Sequence, residues 1–500
     1  MDHFDQVHVV SDLHLGGEPG FQIFNQGDAL ARLIRHLAGA PGPVALVLNG
    51  DVVDFLAADP PVYFASRDAV AKLAKIIEAD AFRGVFLALN DFTREADKRL
   101  VLILGNHDVE LALPEVRALL LEKLGADAAA RGRIIWAMDG KGYTCTVGGH
   151  AVHCLHGNAQ DDWNVVDPAA LERLSRDPVA SRGELQPNAG TRLVIDVMNP
   201  IKRRYAWVDL LKPETTIVPA ILYTLPDVPS PPLGKFAKTL YTRGETQLRR
   251  NAVFLGAEGS ADLDEVQALE MLLRAGGHGG QGGPGGRDGL AWIEQAAADF
   301  AQGVQPEDLA PPDDADVRLG LRDDLRLAIH VALPRDNPEE KLRLALQRYL
   351  AGDATFEFDT EDETYQAIDK QTPADVTFIV AGHTHLHRCI PRRRHQGFYF
   401  NSGTWIRLMQ IPPKKLASRE AFKPVYDLLT AEDPPGENMA RLDRSELVVN
   451  RRSFVSIWVE ENERRTVRSE LRSAFDATEG RPGEAPWRSV FKAADVPVKR

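Results

Sequence analysis

The chain has 500 residues, 44% of them hydrophobic and 26% charged. That composition excludes wholesale disorder, and the length exceeds what a single hydrophobic core usually serves, so a main domain with a large insertion is expected. A formal net charge of −13 excludes a protein that wraps duplex DNA with a broad basic surface.

In chain order, Val7–Val10 reads as a strand, Leu30–Leu37 as a helix, Val44–Leu48 as a strand and Leu100–Leu104 as a later strand. Buried strands of this type are continuous in Val, Leu and Ile, and each of these runs into a cluster of Asp, His, Asn and Gly at its C-terminal end. Tyr143–Val147 and Ala151–Leu155 flank Gly148-Gly149 and predict a hairpin. Strand character returns at Val376–Ala381, Gly397–Phe400 and Phe454–Val459.

No basic and apolar export segment precedes Val7, so a cytoplasmic location is expected. The apolar run Ile217–Leu225 is interrupted by Pro219 and is short of the ~20 residues a spanning helix needs, which leaves open a peripheral membrane contact. Cys145, Cys154 and Cys389 are odd in number and lack a metal-finger spacing, as expected of core-filling thiols in a reducing compartment.

Residues 161–370 have a different character, rich in helical patterns and proline breaks. Leu263, Val266, Leu269, Leu272 and Leu273 recur at helical spacing, as do Leu342, Leu344 and Leu346, and such stripes read as core. The tract 276–289 is glycine-rich, but no strand precedes it and no Lys-Ser or Lys-Thr follows it. A linker is the better reading than a phosphate loop. The expected division is a catalytic core at 1–160 and 371–460, a mainly helical cap at 161–370 and a C-terminal extension at 461–500. Within the cap, residues 201–250 hold nine Lys or Arg against four acidic residues, and residues 251–370 hold ten against twenty-five. The basic part, with Lys202, Arg203 and Arg204, is a candidate substrate-facing surface or an ordinary solvated face.

Five clusters carry chemistry. Asp12 and His14 in Ser11-Asp12-Leu13-His14-Leu15-Gly16 fall on the same side of an extended segment, so a carboxylate and an imidazole can reach one ion. The others are Gly50-Asp51-Val52-Val53-Asp54, Gly105-Asn106-His107-Asp108, His156-Gly157-Asn158 and Gly382-His383-Thr384-His385. Each alone is weak. Five at predicted strand ends, all of metal-ligand residue types, point to a metal centre.

Together these blocks resemble the calcineurin-like metallophosphoesterase superfamily, whose Asp-x-His, Gly-Asp, Gly-Asn-His, later His and Gly-His-x-His occur here in family order. Within it, Ser-Asp-Leu-His-Leu-Gly, His-Gly-Asn and Asn401-Ser402-Gly403-Thr404-Trp405 are most similar to the branch containing UDP-2,3-diacylglucosamine pyrophosphatases, over residues 5–160 and 375–410. Two features depart from that branch: Asn158 stands where its members typically carry Asp, and they lack an insertion of this size.

The resemblance implies a four-layer αββα sandwich, an α/β core of two mixed sheets flanked by helices and interrupted by the helical insertion. It implies one metal held by Asp12, His14, Asp51 and His385 and a second held by Asp51, Asn106, His156 and His383, with Asp51 bridging. Mixed imidazole, carboxylate and amide ligands suit Mn, with Fe or Zn as alternatives, better than the all-oxygen shell of Mg. His107 resembles the family residue that stabilises the transition state and protonates the leaving oxygen. Asp54 and Asp108 read either as groups that orient imidazoles or as turn caps. Water on two such ions is acidic enough to attack phosphorus in line as hydroxide near neutral pH.

Arg388, Arg392 and Arg393, with His387 and Arg394, follow the last metal block closely. With Arg204 they are candidates for pairing with a nonreacting phosphate, solvated arginines being the alternative. The expected function is a phosphohydrolase cleaving a phosphodiester or pyrophosphate bond in a small or lipid-linked substrate. A nuclease is the second reading, disfavoured by the acidic total. A catalytically inactive metal-binding scaffold is the third, and the filled ligand positions and His107 count against it.

Overall fold

Val44–Asn49 is buried at every position, as its apolar run Val44–Leu48 must be when both faces of the strand are covered. Around it the sequence builds a layered α/β unit. A computed structural model describes residues 1–58, 63–64, 66–177, 185–211, 225, 337–350, 356–432, 434–461, 465–476, 479 and 484–499. The chain divides into two units. The first comprises Met1–Gln186, Ala354–Leu408 and Val449–Arg500, and the second Pro187–Asp353 and Met409–Val448.

The first unit begins with β1 (Asp2–Phe4), β2 (Gln6–Val10), α1 (Gly27–Ala38), β3 (Val44–Asn49), α2 (Ser66–Glu78), α3 (Asp80–Arg94), β4 (Lys98–Ile103) and β5 (Ile134–Ala137). The expected hairpin follows as β6 (Tyr143–Val147) and β7 (His150–Cys154), turning at Gly148 and Gly149, both at positive φ. Later come β8 (Val376–Ala381), β9 (Arg388–Pro391) and β10 (Phe398–Asn401). Short strands β11 (Arg407–Met409) and β12 (Val448–Asn450) stand where the chain passes between the units, before β13 (Ser453–Glu460), β14 (Thr466–Ala474), β15 (Trp487–Lys492) and β16 (Val496–Pro497).

Strands β2, β3, β4 and β5 run parallel, and β13, β14 and β15 extend that sheet antiparallel from β2. The second sheet has the order β1-β6-β7-β8-β10-β9. Register aligns Val9 with Val47 and Val47 with Val101, and all three face Val152, Phe378, Val380 and Phe400 of the second sheet across one core. Period-two alternation along β8 sends Phe378 and Val380 into this core. It sends Ile379 and Ala381 outward against Tyr365 and Ile368 of the helix Glu363–Gln371. On the opposite side α3 packs on β4 and α1 on β14. The four-layer sandwich is therefore present.

Cys145, Cys154 and Cys389 all lie in the core between the sheets, where burial pushes the thiols of Cys145 and Cys389 up to about 12. Among the described residues no helix is long and apolar enough to cross a membrane.

The division differs from the expected one at both ends of the cap, where residues 161–186 and 354–370 belong to the first unit, and in two further places. Residues 461–500, read as an extension, supply β14, β15 and β16, because β13 leaves an open edge that Thr466–Ala474 pairs along its length. Residues 409–448, read as core, form helices of the second unit. There the indole of Trp207 donates to the carbonyl of Leu429 at 2.8 Å, and Arg343 donates to that of Leu416 at 2.7 Å. Leu342 and Leu346 are buried one helical turn apart, whereas Leu344, read in the same stripe, is only half-buried. The Leu263–Leu273 stripe, the tract 276–289 and residues 217–224 lie outside the described residues.

Candidate metal centre

Every expected ligand sits just past the C-terminal end of a strand: Asp12 and His14 after β2, Asp51 after β3, Asn106 after β4, His156 after β7, and His383 and His385 after β8. Both sheets thus deliver ligands from the same edge of the first unit. Three overlapping groups have ligand atoms mutually within 4.8 Å: Asp12, His14 and His385; His14, Asp51 and His107; and Asp51, His156 and His383. One oxygen of Asp51 lies 3.2 Å from His156 Nε2 and 3.8 Å from His14 Nε2, so this carboxylate stands between the two halves. His385 Nε2 lies 3.3 Å from both Asp12 Oδ1 and His14 Nε2.

The loops reach this arrangement under strain. Eight described non-glycine residues have positive φ, and five of them are Asp12, His14, Asp51, His383 and His385. A non-glycine residue held there costs ~1–3 kcal/mol and persists where its surroundings over-determine it, a pattern concentrated at functional sites. Close approach needs glycine beside the ligands: a Cβ on Gly50 would come within 2.3 Å of His156 Nδ1, and one on Gly105 within 2.1 Å of Asp51 Oδ1. The segment Asn401–Thr404 braces the loops from behind. Asn401 Nδ2 donates to the Gly382 carbonyl at 2.7 Å, and the Thr404 hydroxyl donates to the Asp12 carbonyl at 2.7 Å.

Three imidazoles are held in defined tautomers by acceptors that carry no proton. His14 Nδ1 faces Asp54 Oδ2 at 3.1 Å, His156 Nδ1 faces the Asn49 carbonyl at 2.8 Å, and His383 Nε2 faces Asp161 Oδ2 at 2.9 Å. Each acceptor fixes a proton on the nitrogen that faces it, so the opposite nitrogen is the one a metal would take. Asn106 completes the set, since its Oδ1 is fully buried and has no hydrogen-bond partner while its Nδ2 donates to Asn164 Oδ1 at 3.3 Å. A buried orphan acceptor among carboxylates and imidazoles is what a divalent cation would satisfy, so the residues fit a metal.

Electrostatics agree. Burial disfavours charge on His156, but the Asp51 carboxylate outweighs it and raises the imidazole to about 9. Burial pushes Asp51 the other way, yet the charges of His156 and His107 hold it well below the usual carboxylate range. Burial raises Asp12, against the pull of His156. The pocket thus concentrates negative charge that protonated imidazole offsets, and metal binding would displace those protons.

His107 is less buried than the ligands. Its main-chain amide donates to Asp51 Oδ1 at 2.9 Å, and its Nδ1 lies 3.3 Å from Asp54 Oδ1. Asp54 combines the two roles left open for it, because Oδ1 also accepts from the amides of Leu56 and Ala57. Asp108 has the turn role instead. Its two oxygens accept from the amides of Gly105 at 2.7 Å and Val52 at 2.8 Å, tying together two of the ligand loops, and burial followed by the Asp51 charge raises it to about 7.

The arginines are engaged elsewhere. Arg392 is buried, with Nε 2.7 Å from Asp369 Oδ1 and further bonds to the carbonyls of Thr372, Pro373 and Val376. Its proximity in sequence to the last metal block led to a substrate role, but a satisfied buried guanidinium has no donors to spare. Arg388 is also buried, donates to the Glu357 carbonyl and lies 3.8 Å from Asp362; Arg393 is exposed and pairs with Glu361. Arg204 belongs to the second unit, where it faces Tyr205 and Glu432.

Asp161 and Asn164 were not singled out from the sequence, because they fall at the edge of the segment read as an insertion. The available signal was an acid and an amide a few residues past the His156 block.

Residues 6–202 match the family model for calcineurin-like phosphoesterases. The protein is a metal-dependent phosphoesterase. That match covers Asp12, His14, Asp51, Asn106, His107 and His156 of the phosphoesterase, and geometry adds His383 and His385 from the later sheet strand. No curated protein matches the chain.

Proposed function

We propose that this phosphoesterase uses two divalent ions, Mn most readily, to cleave a phosphodiester or pyrophosphate bond in a small or lipid-linked substrate. The observation that carries this reading is the Asp51 carboxylate, one oxygen of which lies between His14 on one side and His156 on the other. A carboxylate shared between two ligand groups offsets the repulsion of two cations held ~3.5–4 Å apart.

Asp12, His14, Asp51 and His385 would hold one ion, and Asp51, Asn106, His156 and His383 the other. When bound, the pair supplies an acidified water as nucleophile and neutralises the phosphoryl oxygens. The chain's own part is orientation and proton transfer. Asp54 holds the Nδ1 side of both His14 and His107, so His107 presents its Nε2 as the group that hydrogen-bonds the phosphoryl oxygen or protonates the leaving oxygen. Arg392, sealed onto Asp369 and three carbonyls, is not counted among the groups that would hold the leaving group.

The test compares hydrolysis of bis-p-nitrophenyl phosphate with that of p-nitrophenyl phosphate by the Mn²⁺-loaded protein, with chelated protein and Asp51→Ala as controls. Diester cleavage that disappears in both controls supports the reading. Preference for the monoester, or turnover that survives Asp51→Ala, overturns it.

A further inference from the structure

The loop that follows His156 forms one hydrogen-bonded unit. Asp161 Oδ2 accepts from Asn164 Nδ2 at 2.8 Å and faces His383 Nε2 at 2.9 Å, and its Oδ1 accepts from the Trp163 amide at 2.9 Å. Asn164 Oδ1 accepts from Asn106 Nδ2 at 3.3 Å, and the Asn164 carbonyl accepts from Asn158 Nδ2 at 3.0 Å.

The direction of the side-chain bonds from Asp161 to Asn106 follows from geometry: the Asp161 oxygens accept from the groups that face them. Asp161 Oδ2 faces both the Asn164 Nδ2 and His383 Nε2, and its Oδ1 faces the Trp163 amide, so each neighbour of this carboxylate is a donor to it. Asn164 must therefore turn its NH₂ towards Asp161, which turns its Oδ1 towards Asn106. Asn106 must in turn offer its NH₂ to that oxygen, which directs its own Oδ1 the opposite way, and that Oδ1 is the buried atom without a partner. On the other branch, His383 must carry its proton on Nε2, which leaves Nδ1 as the basic nitrogen.

We propose that Asp161 and Asn164 are positioning residues that set the donor atoms of His383 and Asn106 for the same ion, an inference that rests on the two-ion reading above. His383 follows a strand of one sheet and Asn106 a strand of the other, so a single carboxylate orients ligands from both. In the half containing Asp12, His14 and His385, it is Asp54 that faces His14 Nδ1, not a residue of this loop.

The test is Mn²⁺ binding to the metal-free full-length chain by calorimetry, with bound metal counted by elemental analysis, for the wild type, Asp161→Ala, Asn164→Ala and the milder Asp161→Asn. Circular dichroism checks that each variant is folded. The expected result is two ions in the wild type, with one step unchanged and the other weakened ~10–100-fold in Asp161→Ala and Asn164→Ala, and less in Asp161→Asn, whose amide oxygen can still accept. Two unchanged binding steps in every variant, or equal weakening of both steps, overturns the positioning role while leaving the two-ion centre standing. A wild type that binds fewer than two ions overturns the two-ion reading and this inference with it.

Discussion

Asp54 Oδ2 lies 3.1 Å from Nδ1 of His14, with both side chains buried. Its other oxygen lies 3.3 Å from Nδ1 of His107, so a single carboxylate supports a metal ligand and the candidate acid. Asp54→Ala is therefore expected to lower metal affinity or kcat ~10–100-fold. Calorimetry and steady-state kinetics on the folded variant check this, and wild-type values for both would show that neither imidazole depends on Asp54.

His107→Ala separates chemistry from metal binding. The His107 contact to Asp51 runs through its main-chain amide, which the substitution keeps. The expected outcome is a fall in kcat of ~10²–10⁴-fold with metal content unchanged. Loss of metal in parallel would mean that His107 acts as a ligand, a role its place in the group with His14 and Asp51 makes worth measuring.

Gly105→Ala probes how tightly the ligand loops are packed. The added Cβ would lie 2.1 Å from Asp51 Oδ1 and 2.6 Å from the Asp51 amide nitrogen, so Asp51 must move and metal binding should fail. Gly39→Ala meets nothing closer than 3.7 Å and should leave metal content and activity as in the wild type. Elemental analysis of both variants distinguishes local packing from general destabilisation.

How much of this was legible in the sequence depended on whether an element carries its own pattern. Apolar runs such as Val44–Leu48 and Phe378–Ala381 announce buried strands, and the polar residues just past them announce the site. The helices at 413–443 and the strands after Thr466 were not singled out, and their residues were read only as core and extension, because their mixed apolar and charged residues carry no run as continuous as Val44–Leu48. Arg392 was misread for a different reason: a guanidinium near a phosphate site and one sealed onto Asp369 look the same in one dimension. Asp161 and Asn164 were missed because their role lies in the direction of hydrogen bonds between segments far apart in sequence.

The buried Arg392–Asp369 pair is expected to serve folding. Removing one partner of such a pair leaves an uncompensated charge and costs ~3–5 kcal/mol, so Arg392→Met should lower the urea midpoint markedly while the folded fraction keeps its KM. Arg393→Ala, at an exposed pair, should leave the midpoint and KM unchanged. A rise in KM specific to Arg392→Met would restore the substrate role.

His8 gives a pH dependence away from the metal centre. It is buried with Nδ1 2.8 Å from the Ser456 hydroxyl, and burial, then the Arg472 charge, push its pKa down to about 3. Between pH ~6.5 and ~3 the unfolded chain binds a proton that the folded chain refuses. Stability from this group is therefore fully present above the unfolded value and falls as pH drops through that window, by up to ~1.4 kcal/mol per unit. His8→Asn should lose less Tm than the wild type between pH ~7.5 and ~5. Parallel losses would mean that His8 is protonated in the folded state.

The central claim is that Asp51 joins two ions into one catalytic centre. The most direct measurement adds Mn²⁺ stepwise to the metal-free protein and follows hydrolysis of bis-p-nitrophenyl phosphate against equivalents bound. Activity that rises until two ions are bound per chain, and is absent at any loading of Asp51→Ala, is the predicted result. Full activity with a single ion bound, or activity that persists without Asp51, would contradict it.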